Sequence, residues 1–115
     1  MRWFRRLFAR ETARIPCAGA PSEGYARIVE LELPRSGARE VVLCRVDGRL
    51  RALDRDCPHE HGRLAAGPLL RGRYAQCPLH GYAFDPASGR AVDVVCPRAR
   101  VYRVRERGAW AEISL

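Results

Sequence analysis

A chain of 115 residues is long enough for one domain with a modest hydrophobic core. Its formal charge of +8 comes from 21 basic residues, all of them arginine, scattered along the sequence. Because these arginines are not clustered among aromatic side chains on a known reading motif, no nucleic-acid partner is expected. No apolar run approaches the roughly 20 residues that cross a bilayer, so membrane contact is not expected either.

The N-terminal segment, residues 3–8, permits two interpretations. Its apolar residues fall on one side of a helical wheel, as in an amphipathic surface helix. We favour an edge strand that packs Phe4 or Phe8 on the core. Arg5-Arg6 is superficially similar to an export signal, but residues 9–18 contain three charges and a proline instead of an apolar run. No cleavable signal is therefore expected.

The rest of the chain is predicted to form β-strands. Strands are expected at 25–33, 40–46 and 49–53, the last two joined by Asp47-Gly48, a strong two-residue hairpin signal. Short strands are expected at 69–70 and 74–75 around Arg71-Gly72, at 82–85 and at 90–92, with a closing hairpin of 100–105 and 110–114 about Arg107-Gly108. Alternation predicts a core of Val42, Leu50, Phe84, Val101, Val104 and Trp110. The fold predicted is an antiparallel β sandwich or small barrel, one domain over 1–115.

Two loops of this sequence carry the residues best suited to chemistry. Cys57-Pro58-His59 and Cys77-Pro78-Leu79-His80 each offer one thiolate and one imidazole, in a chain with only three histidines. The prolines restrict the backbone after each cysteine, while Gly62 and Gly81 permit the tight geometry that close approach to a metal requires. Both donors of a loop can therefore face one metal-sized pocket.

A single zinc ion is one metal centre that such donors could hold. A Cys₂His₂ set can hold a single zinc ion, but zinc fingers usually group two cysteines and then two histidines, whereas each loop here has one of each. The third histidine, His61, could replace His59 as a ligand by position alone. We expect it instead to be a neighbour that either supports a ligand or faces the solvent.

The sequence CPHEHG at 57–62 and CPLHGYAFD at 77–85, followed by Ser88-Gly89-Arg90, resembles the Rieske family. The resemblance implies a [2Fe–2S] cluster with Cys57 and Cys77 on one iron and His59 and His80 on the other. It also implies an all-β domain whose cluster-binding subdomain has loops at about 56–64, 76–85 and 95–99. Neutral imidazoles leave the oxidised cluster less negative than four thiolates would, so its reduction potential is higher.

Some positions depart from the high-potential members of this family. Those members have a further cysteine in each cluster loop, joined as a disulfide, where this chain has Gly62 and Leu79. They also have a serine where this chain has Tyr82. Both departures predict a potential near the low end of the range, roughly −150 mV, and a reducing compartment, the cytoplasm. Cys96 falls in the expected third loop; a small buried thiol is the interpretation we favour for it.

The resemblance, together with the short list of donors, predicts an electron carrier rather than an enzyme. The additional histidines of an oxygenase iron site are missing, and so is a glycine fingerprint for a nucleotide. A Rieske-type ferredoxin that passes electrons from a flavin reductase to an oxygenase or another redox enzyme is the function expected. Partners with acidic docking surfaces would face Arg63, Arg71 and Arg73. The alternatives are a small Rieske subunit of an assimilatory nitrite reductase and a zinc-stabilised interaction module.

Overall fold

The computed structural model describes residues 11–59 and 61–115 of the chain, and these contain β-strands but no helix. The predicted edge strand with Phe4 or Phe8 lies outside the described residues. The strands are β1 (Thr12–Pro16), β2 (Tyr25–Leu33), β3 (Gly37–Val46), β4 (Arg49–Asp54), β5 (Gly67–Pro68), β6 (Ala75–Gln76), β7 (Ala83–Phe84), β8 (Val101–Arg107) and β9 (Trp110–Ser114).

Seven of the strands form one curled antiparallel sheet, in the order β1-β9-β8-β4-β3-β2-β5. Curling brings β1 and β2 against one hydrophobic cluster, since Ile15 of β1 and Val29 of β2 both pack on it. Strands β6 and β7 form a separate two-stranded sheet. The predicted all-β antiparallel architecture is confirmed.

Strand β3 is buried on both faces and therefore serves two cores. Val41 and Leu43 point into the cluster inside the curl, which also contains Leu31, Leu50, Ala52, Tyr102, Ala111 and Ile113. Val42 and Cys44, on the opposite face, pack with Leu53, Leu64, Phe84 and both predicted cysteine donors. Burial on two sides explains why four consecutive residues, 41–44, are apolar instead of alternating. This second cluster connects the main sheet to the loops of interest.

The predicted hairpins are mostly confirmed. Strand β2 has the expected limits, and β3 and β4 meet at Asp47-Gly48, where both residues have positive φ (53° and 76°). These angles suit the tight turn that follows the twist of the two strands. In the last hairpin Arg107 pairs with Trp110, so the turn is Gly108-Ala109 and not Arg107-Gly108. Residues 90–92 provide one bridge, from Ala91 to Phe84, instead of a strand.

Part of the predicted core was wrong. Val42, Leu50 and Phe84 are buried, but Val101 and Trp110 are exposed and Val104 is only partly buried. Tyr102 takes the position of β8 that faces the cluster inside the curl, beside Ala52, which turns the preceding Val101 to the opposite face of the strand, where it is 37% exposed. Ala111 and Ile113 take the inward positions of β9, which turns Trp110 outwards, where the guanidinium of Arg14 lies 5.0 Å from its ring.

No helix among the described residues has the length and apolar character needed to cross a membrane.

The start of β1 is tied to the β2–β3 turn by one carboxylate. Glu11 accepts hydrogen bonds from the backbone N–H of Ser36 (2.7 Å) and from its hydroxyl group. The Ser36 hydroxyl is the main cause that lowers the pKa of Glu11 from its ordinary value. A lowered pKa means that the carboxylate stabilises the fold above its ordinary pKa, and that this contribution is lost as the pH falls through the folded-state pKa.

We therefore expect Glu11→Gln to lower the melting temperature at pH 7 and to lower it less at pH 3. Thermal unfolding followed by circular dichroism at both pH values would measure this. Glu32→Gln, on the exposed side of β2, is the control. Equal losses from Glu11→Gln at both pH values would contradict the role given to the ionised carboxylate.

Candidate metal centre

The two predicted donor loops are closed by short backbone hydrogen bonds. The first follows β4, and Cys57 N–H donates to the carbonyl of Gly62 (2.9 Å). The second joins β6 to β7, where Cys77 N–H donates to Tyr82 O (2.7 Å) and its carbonyl accepts from Gly81 N–H (2.9 Å). Gly81 has φ of 73°, the left-handed region that glycine adopts without strain. Each cysteine thus begins a tight turn that carries a histidine.

The two thiols are buried at the end of the second core. Cys57 and Cys77 are 4% and 2% exposed, and the backbone N–H of His59 interacts with the Cys57 sulfur. Burial, helped by the neighbouring sulfurs of Cys77 and Cys96, raises the pKa of Cys57 to about 11. The thiolate of Cys57 is therefore unfavourable here unless positive charge accompanies it, as iron would provide.

The two imidazoles meet at the outer side of the same loops. Nδ1 of His59 lies 3.3 Å from Nδ1 of His80, and the rings are nearly perpendicular, with centroids 5.0 Å apart. The ring of Tyr82 stacks on His59 at 4.1 Å, so His59 is half-buried while His80 is exposed. Two nitrogen atoms that face each other at this distance can bind one metal ion placed between them and the thiols.

These donors form two pairs rather than one group. Among residues 11–59 and 61–115, no three His, Cys, Asp or Glu side chains are arranged to hold a single metal ion. The sulfur pair and the nitrogen pair suit a group with two metal ions, each of which takes two side chains. A [2Fe–2S] cluster of the mixed cysteine and histidine type has this requirement.

Gly62 provides the space in which the sulfur of Cys77 lies. A Cβ atom at position 62 would be 2.3 Å from Cys77 Sγ and 3.4 Å from Cys57 Cβ. The φ of Gly62 is not positive, so close approach and not backbone conformation is what requires glycine here. The sequence analysis anticipated a tight loop at this residue, although not the contact with the other loop.

The base of the first loop is held by Glu40, a residue that no sequence pattern selected. Its carboxylate accepts from Arg55 Nη1 (2.9 Å) and from Arg63, which stand before and after the loop. Backbone bonds reinforce this attachment, since Arg55 N–H donates to Glu40 O (3.1 Å) and Leu64 N–H to Arg55 O (2.7 Å). One carboxylate on β3 therefore joins both ends of the loop.

The remaining residues that the sequence analysis named are His61, Cys96 and the docking arginines. His61 is exposed, and Cys96, expected as a small buried thiol, packs against the core cluster that contains Cys57 and Cys77 but is only half-buried. No disulfide joins any of the five cysteines. Arg63 is paired with Glu40 and Arg73 with Asp47 (3.1 Å), so two of the three predicted docking arginines already have partners within the chain.

Comparison with known proteins gives consistent results. A family model for the Rieske [2Fe-2S] domain matches residues 27–105. The ferredoxin component of the naphthalene 1,2-dioxygenase system of Pseudomonas aeruginosa is 36% identical over 67% of this chain and 74% of its own length. Cholesterol 7-desaturase nvd of Hemicentrotus pulcherrimus is 38% identical over 42% of this chain, which corresponds to only 10% of that protein.

Solved structures with the same fold include a complex of reduced oxygenase and oxidised ferredoxin in carbazole 1,9a-dioxygenase. The TM-score is 0.72 at 25% identity, over 90% of this chain and 92% of that chain. A protein described as an NADH-dependent nitrite reductase small subunit, from Mycobacterium tuberculosis, gives 0.66 at 20% identity, over 92% of this chain and 96% of that one.

We expect Gly62→Ala to reduce the iron content and to destabilise the loops by about 1–3 kcal/mol, the usual cost of an overpacked site. The reason is that the added methyl group occupies the space of Cys77 Sγ. Iron per protein and visible absorption would measure the loss. The control is Gly108→Ala, where the positive φ of 59° adds a backbone cost that Gly62 lacks but the new Cβ would meet no atom within 4 Å, so iron content should not change. Full iron content in Gly62→Ala would contradict the close approach.

We expect Glu40→Gln to weaken the attachment of the first loop by about 1–2 kcal/mol, since it replaces two charge-assisted hydrogen bonds. The purified variant should lose iron to a chelator faster than the original protein. Glu32→Gln again serves as the control, because it removes a carboxylate from the neighbouring strand. Identical rates of iron loss would show that the loop does not depend on this carboxylate.

Proposed function

The chain belongs to the Rieske [2Fe–2S] family, and we propose that Cys57, His59, Cys77 and His80 hold its [2Fe–2S] cluster, with which the protein carries single electrons. The observation that carries this proposal is the arrangement of the donors in two pairs, with buried sulfurs and with imidazole nitrogens 3.3 Å apart at the surface. His59 rather than His61 is proposed because its ring faces His80. The bound cluster would supply reversible one-electron chemistry.

The protein's own residues determine where an electron can leave. The thiols lie within the core, so their side of the site is closed to partners. Tyr82 covers one face of His59, whereas His80 remains exposed. The His80 ring is therefore the shortest path between the interior of the site and a protein in contact with the surface. Because the buried sulfur side excludes water, the surroundings of the site stay fixed while an electron is transferred.

The partners that we propose are a flavin-containing reductase as donor and a terminal oxygenase as acceptor. The names of two relatives support an oxygenase, since one is a dioxygenase ferredoxin component and the other a complex of oxygenase with ferredoxin. The net charge of +8 favours partners with acidic docking surfaces through long-range steering. The lack of a disulfide among the five cysteines suits the reducing environment of the cytoplasm.

The direct test is the spectrum of the purified protein. We expect a coloured protein with iron and acid-labile sulfide in equal amounts, bleached by dithionite and restored by air. Electron paramagnetic resonance of the reduced form should give the signal of a mixed-ligand [2Fe–2S] cluster. A colourless, zinc-containing protein would instead support the non-redox interaction module.

Replacement of a histidine donor tests the ligand assignment. We expect His80→Cys to lower the reduction potential from roughly −150 mV part of the way towards about −400 mV, the value of all-cysteine clusters, because a third thiolate adds one negative charge to the cluster. Protein-film voltammetry would measure the change. The exposed neighbour in the first loop provides the control, and His61→Gln should leave the potential unchanged. An unchanged potential in His80→Cys would remove His80 from the ligand set.

A second function is favoured by the nitrite reductase small subunit among the structural relatives. In that case the protein would be a fixed subunit that passes electrons to a sirohaem protein. Copurification from the native cell distinguishes the two: stable association with a sirohaem protein favours the subunit, and a free monomer favours the carrier.

A further inference from the structure

Four arginines lie together on the outer face of β4 and β8. Strand β4 turns Leu50 and Ala52, and β8 turns Tyr102, towards the cluster inside the curl. The residues that alternate with them therefore lie on the opposite face of the sheet. We call four of these residues the arginine face: Arg49, Arg51, Arg103 and Arg105. Three of the four are exposed, and Arg51 is half-buried.

Surface recesses connect the members of the arginine face. Arg51, Arg103 and Arg105 line one recess of about 400 Å³, which reaches Ala87. Arg51 and Ala87 also line a second recess, of about 240 Å³, together with Arg49. Arg103 and Arg105 line a third, of about 340 Å³, which extends to β9 and β1. Because neighbouring recesses share residues, the arginine face lies along one continuous groove.

The positive charge of the arginine face is not compensated by the acidic side chains nearby. None of its four members forms an ion pair with a carboxylate of the described residues. Three acidic side chains line the groove, and all have other partners. Asp47 pairs with Arg73 (3.1 Å) and Glu112 with Arg107 (2.7 Å), while Asp85 accepts a hydrogen bond from a backbone N–H (2.8 Å).

Like charges at this spacing oppose the pairing of the two strands. The antiparallel register of Ala52 with Tyr102 places Arg51 beside Arg103, one residue further along both strands. Such cross-strand pairs of equal charge are destabilising. Arg103 and Arg105, on the same face of β8, are separated by about 7 Å, the repeat of alternate residues in a strand. A partner with negative charges at this spacing would offset the repulsion.

The aromatic residues of this region favour an acidic protein segment over a nucleic acid. Single-stranded nucleic acids are held largely by bases that stack on free aromatic rings. The guanidinium of Arg14 already lies 5.0 Å from the ring of Trp110 on the neighbouring hairpin, and Tyr102 points inwards. An extended peptide with acidic residues at alternate positions, by contrast, repeats its carboxylates every 7 Å or so, as the arginines of β8 do.

We propose that the arginine face docks an extended acidic segment of a partner protein. The segment lies along the groove with its carboxylates opposite the unpaired guanidinium groups. No described residue of the donor loops, 57–62 and 77–82, lines the groove, so a segment bound there leaves these loops uncovered. The inference goes beyond the proposed electron exit, because it gives the protein a second surface by which it can stay attached to one partner while His80 faces another.

The test measures how tightly the purified holo-protein binds a labelled peptide. The probe is a fluorescein-labelled peptide of about 12 residues in which Glu and Thr alternate, followed by fluorescence anisotropy at roughly 20 mM salt, where charges are little screened. We expect Arg103→Gln to weaken binding about threefold, the effect of one exposed ion pair, and Arg103→Gln combined with Arg51→Gln to weaken it about tenfold. A peptide with Gln in place of Glu should not bind.

Arg27→Gln is the matched control, because it removes an exposed arginine from the opposite face of the sheet. Its neighbours in β2, Ala26 and Ile28, pack on the second cluster, so Arg27 itself points to the other side. This variant lowers the net charge equally but should leave the affinity for the peptide nearly unchanged. The melting temperature of Arg103→Gln should not fall, since the substitution removes repulsion from Arg51, and this separates lost docking from lost folding.

Three results would overturn the inference. Arg103→Gln could bind the peptide as tightly as the original protein does. Arg27→Gln could weaken binding as much as Arg103→Gln, which would indicate that only the net charge matters. An oligothymidylate of about 12 nucleotides could bind more tightly than the peptide and be lost in Arg103→Gln, which would assign the arginine face to nucleic acid. A protein without iron would instead contradict the proposed electron-carrier function, and the peptide measurement would still decide the docking surface.

Discussion

The burial of two cysteines beside two imidazoles that lie nearer the surface is the constraint on which this molecule depends. Cys57 and Cys77 belong to the hydrophobic core, and burial raises the pKa of the Cys57 thiol. If the four residues hold the proposed cluster, an imidazole must reach the surface for electrons to leave. Two neighbouring loops, each with a buried cysteine and a less buried histidine, meet both demands within a few residues. The remaining fold serves to hold these loops together.

Close packing, more than hydrogen bonding, brings the two loops into contact. Gly62 of the first loop lies against the sulfur of the second, and Tyr82 of the second stacks on His59 of the first. Each loop therefore completes the surface of the other. Glu40 then fixes the base of the first loop to β3 through Arg55 and Arg63. The arrangement couples the site to an interior strand of the sheet rather than to an edge strand.

The local features of this fold could be predicted from the sequence. Strand β2, the Asp47-Gly48 hairpin and the two donor loops follow from alternation, turn chemistry and donor spacing, all of which act over a few residues. The inward and outward faces of β8 and β9 could not, because Val101 and Trp110 are apolar yet Tyr102 and Ile113 take the inward positions. The first described strand, β1, was also missed.

Within the candidate site, the same limit applies to contacts between distant residues. The sequence suggested the four donors and the need for Gly62. Two contacts leave no local sequence pattern: the link from Glu40 to Arg63, 23 positions away, and the stacking of Tyr82 on His59. The docking arginines illustrate the point. Arg63 and Arg73 were sensible choices by position, and only the fold reveals that carboxylates of β3 and its turn already neutralise them.

Strand β3 has a consequence for how the molecule loses its structure. Because Val41 and Leu43 supply one core while Val42 and Cys44 supply the other, neither core can come apart without disturbing the strand they share. A slip of a single residue in its pairing would exchange the side chains of the two interiors. Melting of the curled sheet and release of the iron should accordingly occur together, as one cooperative transition.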